Sequence, residues 1–286
     1  MYIEQYKILG CHVPKTAGTF LNTLLNRDSI IGSNVRGCDL SMEKHSTIKE
    51  YQEKFSKKEW DNLYKFTCIR EPHERFLSYY LNHWIYKDDY LKSLEFSKRV
   101  RRKTFNDWVK NQYAEMAKNN SVKVDTGLLK KINSDIYHFY LSNSENNIEF
   151  DYYLDFENVE EDLFRMCFDY VDKNIENNEK IARRFWEYIS PTFFLEDEGP
   201  NSKPKSKAGL INRADLERIN PSKSRSKSEK ATIRSIQKLG SDYFYQSSLE
   251  IFRNYNSRDL ELYRSFKERR EIPYDKFSDR RVRIYR

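Results

Sequence analysis

Twice within its first eighty residues the chain passes from a short apolar run through a charged loop into a helix-patterned segment, and this succession limits the possible folds more than any other feature. The first instance is Tyr6 to Val13, which reads as a short buried strand, then Pro14-Lys15-Thr16-Ala17-Gly18-Thr19, then Phe20, Leu21, Leu24 and Leu25 at helical spacing. The second is Leu63 to Arg70, again a buried strand, followed by a helix that Pro72 opens and on which Phe76, Tyr80 and Trp84 share one face. A third strand, in "DYYLDFENVEEDLF", runs into a helix capped by Asn158 and Glu161. Strands alternating with helices build a sheet covered on its faces, so the expected class is α/β with a central parallel sheet flanked by helices.

The segments between these units fill in the organisation. Thr47 with Glu50, and Ser56 with Glu59, stand at capping-box spacing, and Phe55 and Trp60 are placed as a staple, so two short helices follow His45. Residues 86–147 are charged and aromatic with weak periodicity; they read as an insertion, with helices around Phe105–Ala117 and Leu128–Tyr140. From about residue 201 the chain is helical and basic: Asn201 to Arg234 holds ten lysines or arginines against three acids. Ser226 and Glu229 begin a helix there, with Ile233, Ile236 and Leu239 on one side and Gly240 placed to cap it, and a last helix is expected around Arg258–Lys267. The 286 residues suit a single domain over 1–286.

A loop between a strand and a helix is a natural anion site, because the first helical N–H groups lack internal acceptors and the helix dipole adds partial positive charge. Gly18 allows close backbone approach, the threonines add donors and Lys15 adds a full charge. The nucleotide triphosphate loop G-x-x-x-x-G-K-[ST] puts its lysine at the helix start, whereas Lys15 precedes Gly18 here. A second anchor is "CIREPHERFLSYY": Arg70 sits at the carboxyl end of a strand, the edge where open α/β sheets bind ligands, and Arg75 and Ser78 stand three apart on the next helix, projecting from neighbouring places on its surface. An arginine fork and a serine hydroxyl can grip one phosphate from two directions. A net charge of +7 and a pI near 9.0 favour anionic ligands.

Other classes are less well served. Cys11, Cys38, Cys68 and Cys167 show no C-x-x-C pairing and no histidine at ligand spacing, so no metal site is expected. Two of the cysteines lie in strand-like runs, as free core thiols do in a reducing compartment. With no 18-residue apolar stretch and a strand starting within the first few residues, the chain reads as soluble and cytoplasmic, without signal peptide or membrane anchor.

"PKTAGTF" and "REPHERFLSYY" resemble the 5'-phosphosulfate loop and the 3'-phosphate motif of sulfotransferases, closest to the carbohydrate-type, membrane-associated enzymes (sulfotransferase family 2), where the same motifs flank a histidine in the same order. The similarity is tight from Val13 to Tyr80 and looser, through "LDFENVEEDL" and "NPSKSRSK", to about Tyr243. It implies a P-loop, nucleotide-kinase-like sulfotransferase fold and transfer of a sulfuryl group from 3'-phosphoadenosine 5'-phosphosulfate (PAPS) to a hydroxyl acceptor, releasing 3',5'-adenosine bisphosphate (PAP) without a metal. On that resemblance Pro14, Lys15, Thr16, Ala17, Gly18, Thr19 and Phe20 would cradle the 5'-phosphosulfate, with Lys15 stabilising the leaving oxygen. Arg70 and Ser78 would hold the 3'-phosphate, Ser222 and Lys223 would close over the nucleotide, and His45 would be the general base. His12 and His73 compete with His45 for a catalytic part. Glu71 stands where the family has asparagine or aspartate. The expected acceptor is a glycan hydroxyl, on a glycan that is itself anionic if the basic segments guide it. The alternatives are a small-molecule or nucleotide kinase and a non-catalytic polyanion-binding protein; nucleic acid is not expected as a partner, because the aromatics of the basic segments form no recognised nucleic-acid motif.

Overall fold

In the strands, alternate side chains are buried against different layers. The computed structural model describes residues 2–18, 21, 46–87, 98–118, 135–143, 145, 147–189 and 235–269. Four strands form one sheet in the order β1 (Tyr2–Ile3), β2 (Ile8–Cys11), β3 (Tyr64–Ile69) and β4 (Tyr152–Asp155). Ile8, Tyr64, Phe66, Cys68 and Leu154 face one way, onto Leu163, Phe164, Met166, Cys167, Tyr170 and Val171 of α6 (Val159–Ile189). Leu9, Cys11, Ile69 and Tyr153 face the other way, into a larger core. The period of two is that of a pleated strand covered on both faces, and each large apolar side chain so buried contributes about 1.5–3 kcal/mol.

The larger core is built by α1 (Ile48–Gln52), α2 (Lys57–Asp61), α3 (Pro72–Lys87), α4 (Lys98–Lys118), α5 (Ile136–Leu141), α7 (Gln246–Tyr255) and α8 (Ser257–Arg269). Both expected capping boxes form, Thr47 with Glu50 and Ser56 with Glu59, and the Phe55 and Trp60 rings of the staple lie 6.3 Å apart. Tyr80 of α3 lies 5.0 Å from both Phe105 and Trp108 of α4, and Phe76 lies 5.0 Å from Phe252 of α7, so aromatic contacts of about 0.5–1.5 kcal/mol each tie the motif helix to two others. Arg102 and Asn106 of α4 also bond the carbonyls of Tyr243 and Phe244, fixing the chain that leads into α7.

The sheet is mixed, which corrects the expectation of a wholly parallel one. β2, β3 and β4 are parallel, but β1 runs antiparallel to β2, pairing Tyr2 with Leu9. A crossover needs a dozen or more residues, and only the single 3-10 turn Glu4–Tyr6 and a left-handed Lys7 (φ 53°) separate β1 from β2, so the chain reverses instead. That turn also shortens the first strand to Ile8–Cys11. The third strand leads into a 3-10 turn, Phe156–Asn158, whose cap is Asp155: its carboxylate accepts from the Glu157 N–H at 3.1 Å, while Asp162 accepts from the Asp155 N–H at 2.6 Å. The capping machinery therefore centres on Asp155 and Asp162 rather than on Asn158 and Glu161, and Glu161 pairs with Arg165. In the insertion, α4 is longer than expected and α5 shorter within the described residues. Among those residues no helix is long and apolar enough to cross a membrane.

Candidate functional site

The carboxyl ends of β2, β3 and β4 lie side by side, and the loops that leave them converge on one guanidinium. Arg70, the residue after β3, is 4% exposed. Its Nη1 donates to the Lys15 carbonyl at 3.4 Å, its Nε and Nη2 reach Glu74 Oε2 at 3.4 and 3.3 Å, and its centre lies 4.1 Å from the Phe156 ring. The two motifs separated by 55 residues in sequence are thus in contact. All three polar contacts are long, whereas a guanidinium on a phosphate oxygen settles at about 2.7–2.9 Å, so the fork is placed without being saturated. Burial pushes the Arg70 pKa down and Glu74 opposes that shift without cancelling it.

The loop after β2 has the backbone of an anion cradle. Lys15 (φ 72°) and Ala17 (φ 60°) are both left-handed although neither is glycine, each at a cost of about 1–2 kcal/mol, and alternating handedness turns successive N–H groups toward a common centre. Pro14 is buried at the turn that precedes them. Thr16 differs from expectation: its hydroxyl donates to the Val13 carbonyl at 2.8 Å, and the residue is 1% exposed, so it closes the loop and is not offered to an anion. Gly18 begins a helical turn in which the Leu21 N–H donates to the Ala17 carbonyl at 3.0 Å. A Cβ on Gly18 would lie 1.9 Å from His12 Cε1 and Nδ1, so any other residue there would force the imidazole or the loop to move.

At the start of α3, Glu71 takes the capping place that asparagine or aspartate holds in the resembling motif. Its Oε2 accepts from the Glu74 N–H at 2.7 Å, its carbonyl accepts from the Arg75 N–H at 2.9 Å, and its Oε1 is bonded to His73 Nδ1. Burial pushes the Glu71 carboxyl up, but the His73 side chain and the main-chain N–H groups of Glu74 and His73 outweigh it and hold the carboxyl below its ordinary value. Burial raises Glu74, with Arg70 pulling back and Glu71 and Glu157 adding to the rise. Ser78 is buried one turn beyond Glu74 on the same helix, so Arg70, lying on Glu74, is brought to the face that carries Ser78.

Arg75 departs from its expected place on the helix surface. It is fully buried, its guanidinium lies 5.8 Å from the Tyr137 ring, and among the described residues none of its three side-chain nitrogens has a hydrogen-bond partner. His73 packs between Phe244 and Phe252, at 5.6 and 4.8 Å, inside the aromatic core. The thiols of Cys11, Cys68 and Cys167 are reduced and buried, and burial pushes Cys11 up to about 12, which suits a core residue rather than a nucleophile. No group of side chains able to hold a metal is found among the described residues.

His45, Thr19, Phe20, Ser222 and Lys223 lie outside the described residues, as do Cys38 and the expected Ser226 helix start. Their described neighbours are informative. Ser46, which follows His45, accepts at its carbonyl from Cys11 Sγ at 3.8 Å, at the carboxyl end of β2. Gly240 (φ 48°), where the basic region ends, lies against the start of α3: a Cβ there would stand 3.6 Å from Glu71 Oε2 and 3.8 Å from Glu74 Cγ. Three contributors were missed in the sequence. Phe156 could have been found, since it follows the third strand as Lys15 and Arg70 follow the first two; Glu74 could have been found from its i,i+4 spacing to Arg70; Tyr137 carries no local signal.

Neither the curated proteins nor the solved structures include a match to this chain. The sequence pattern that describes the sulfotransferase family does match, over residues 1–264 of the 286, which takes in both motifs, all four strands and the helices through α7, and so the chain belongs to the sulfotransferase family.

Proposed function

We propose that the protein transfers the sulfuryl group of PAPS to a hydroxyl of a carbohydrate acceptor. One observation carries this reading: Arg70 Nη1 lies 3.4 Å from the Lys15 carbonyl, so a cradle for one phosphate and a fork for another open side by side on adjacent parallel strands. A donor with a 5'-phosphosulfate and a 3'-phosphate needs two such grips at a fixed separation. The donor supplies the sulfuryl group and a leaving nucleotide, and the residues hold and orient it.

In this reading the main-chain N–H groups from Lys15 to Gly18 receive the 5' end, and Thr19 and Phe20 continue the cradle. The Lys15 ammonium stabilises the charge that grows on the leaving oxygen, as preorganised donors do in group transfer. Arg70 and Ser78 take the 3'-phosphate, and the long Arg70 contacts to Glu74 yield to shorter ones on phosphate. His45 removes the acceptor proton, a role supported by the anchoring of Ser46 beside the loop, and by imidazole titrating near working pH. Ser222 and Lys223 close over the nucleotide, supported by the packing of Gly240 on Glu71 and Glu74.

Calorimetric titration with PAP, AMP, ADP and ATP at matched ionic strength tests the assignment. The expected result is one-to-one binding of PAP that exceeds AMP and is lost in Arg70→Ala. Stronger binding of ATP with magnesium would establish a kinase instead, and salt-steep binding of polyanions without a nucleotide site would establish a polyanion-binding protein.

A further inference from the structure

The peptide groups of Arg70 lie just beyond the sheet ladder, whose last pair joins Ile69 to Asp155. Their hydrogen bonds come from one phenol. The Tyr137 hydroxyl accepts from the Arg70 N–H at 2.9 Å and donates to the Arg70 carbonyl at 2.6 Å, much as the facing residue of an antiparallel strand would. Resting on the reading that Arg70 grips the 3'-phosphate, we infer that Tyr137 is a positioning residue for that grip, clamping the Arg70 peptide so that the guanidinium is aimed before the nucleotide arrives.

The clamp is itself held from two sides. The Tyr137 N–H is bonded to both carboxylate oxygens of Asp259 at 3.0 Å, and Asp259 is fully buried. The Tyr137 ring also lies 5.8 Å from the Arg75 guanidinium, an aromatic neighbour for a buried cation. Burial keeps the phenol protonated through the working range, although the Arg75 cation and the Arg70 N–H pull its pKa down, so the bond to the Arg70 carbonyl is always donated. A guanidinium on a long side chain gains most from such help, because every degree of freedom fixed in advance is one that phosphate binding need not freeze.

The test is the affinity ratio of PAP to AMP, the increment contributed by the 3'-phosphate, in the wild type, Tyr137→Phe and Asp259→Asn. Loss of folded protein lowers both affinities together, whereas a misaimed Arg70 lowers the ratio alone. In Tyr137→Phe the ratio is expected to fall about tenfold with AMP affinity unchanged, and the donor KM to rise with kcat nearly constant. A wild-type ratio in the folded Tyr137→Phe protein overturns the inference. Should that variant not fold, Asp259→Asn, which keeps the phenol, is read in the same way, and an unchanged ratio there overturns it equally. A wild-type protein that does not distinguish PAP from AMP defeats the assignment of Arg70 itself, which is a separate failure.

Discussion

A methyl group at Gly18 is the smallest change that reaches the site. With a Cβ 1.9 Å from the His12 ring, one of the two must move, and overpacking of this kind costs about 1–3 kcal/mol. Gly18→Ala should therefore lower the melting temperature and weaken PAP binding together, whereas a shift in neither would show that the loop relaxes freely. Glu71 gives a pH signature. Its folded pKa lies below the usual value of about 4.3, so the stability it contributes is present above that value and is lost as pH falls through the folded pKa. Melting curves from pH 7 to 3 should show wild type and Glu71→Gln well separated at neutral pH and converging in acid. The placement of Lys15, Arg70 and Ser78 was legible in the sequence because it depends on a strand end or a helix turn within a few positions. Tyr137 stands 67 positions from the peptide it clamps, and Thr16 spends its hydroxyl within the loop, which composition does not reveal.

The starts of α1 and α2 were legible because their capping groups sit three residues apart, and the start of α3 because Pro72 opens it. Two helices escape that rule. Asp135, just before α5, is left-handed (φ 39°) and makes no side-chain cap on its own helix; it accepts instead from the N–H groups of Arg258 and Asp259 in α8, at 3.1 and 3.3 Å. Asp259 in turn caps α5 through Tyr137 and His138. Each helix carries the other's cap, so neither start shows a complete local signal. Asp135→Ala should cost about 0.5–2 kcal/mol, and the amides of the first turn of α8 should exchange with deuterium faster than in the wild type. An unchanged exchange pattern would mean that the cap is dispensable. β1 was missed for a different reason: two residues are too short a run to show a period.

At the scale of the whole molecule, an aromatic core around Phe76, Tyr80, Phe105, Trp108, Phe244 and Phe252 joins the motif helix to the insertion and to α7. The block read as an insertion reaches both the end of β2 and the residue after β3 through α5, with the Tyr140 carbonyl accepting from Cys11 Sγ at 3.5 Å and the Tyr137 hydroxyl donating to the Arg70 carbonyl. The exchange of caps between α5 and α8 has a consequence in time as well as in space. During synthesis, Asp259 emerges nearly two hundred positions after Arg70, and until it does the tyrosine bonded to the Arg70 peptide has no carboxylate to hold its own N–H. A partly made chain can assemble its three parallel strands and still lack the clamp on the Arg70 peptide, so under the proposed function nucleotide recognition begins only once α8 has docked.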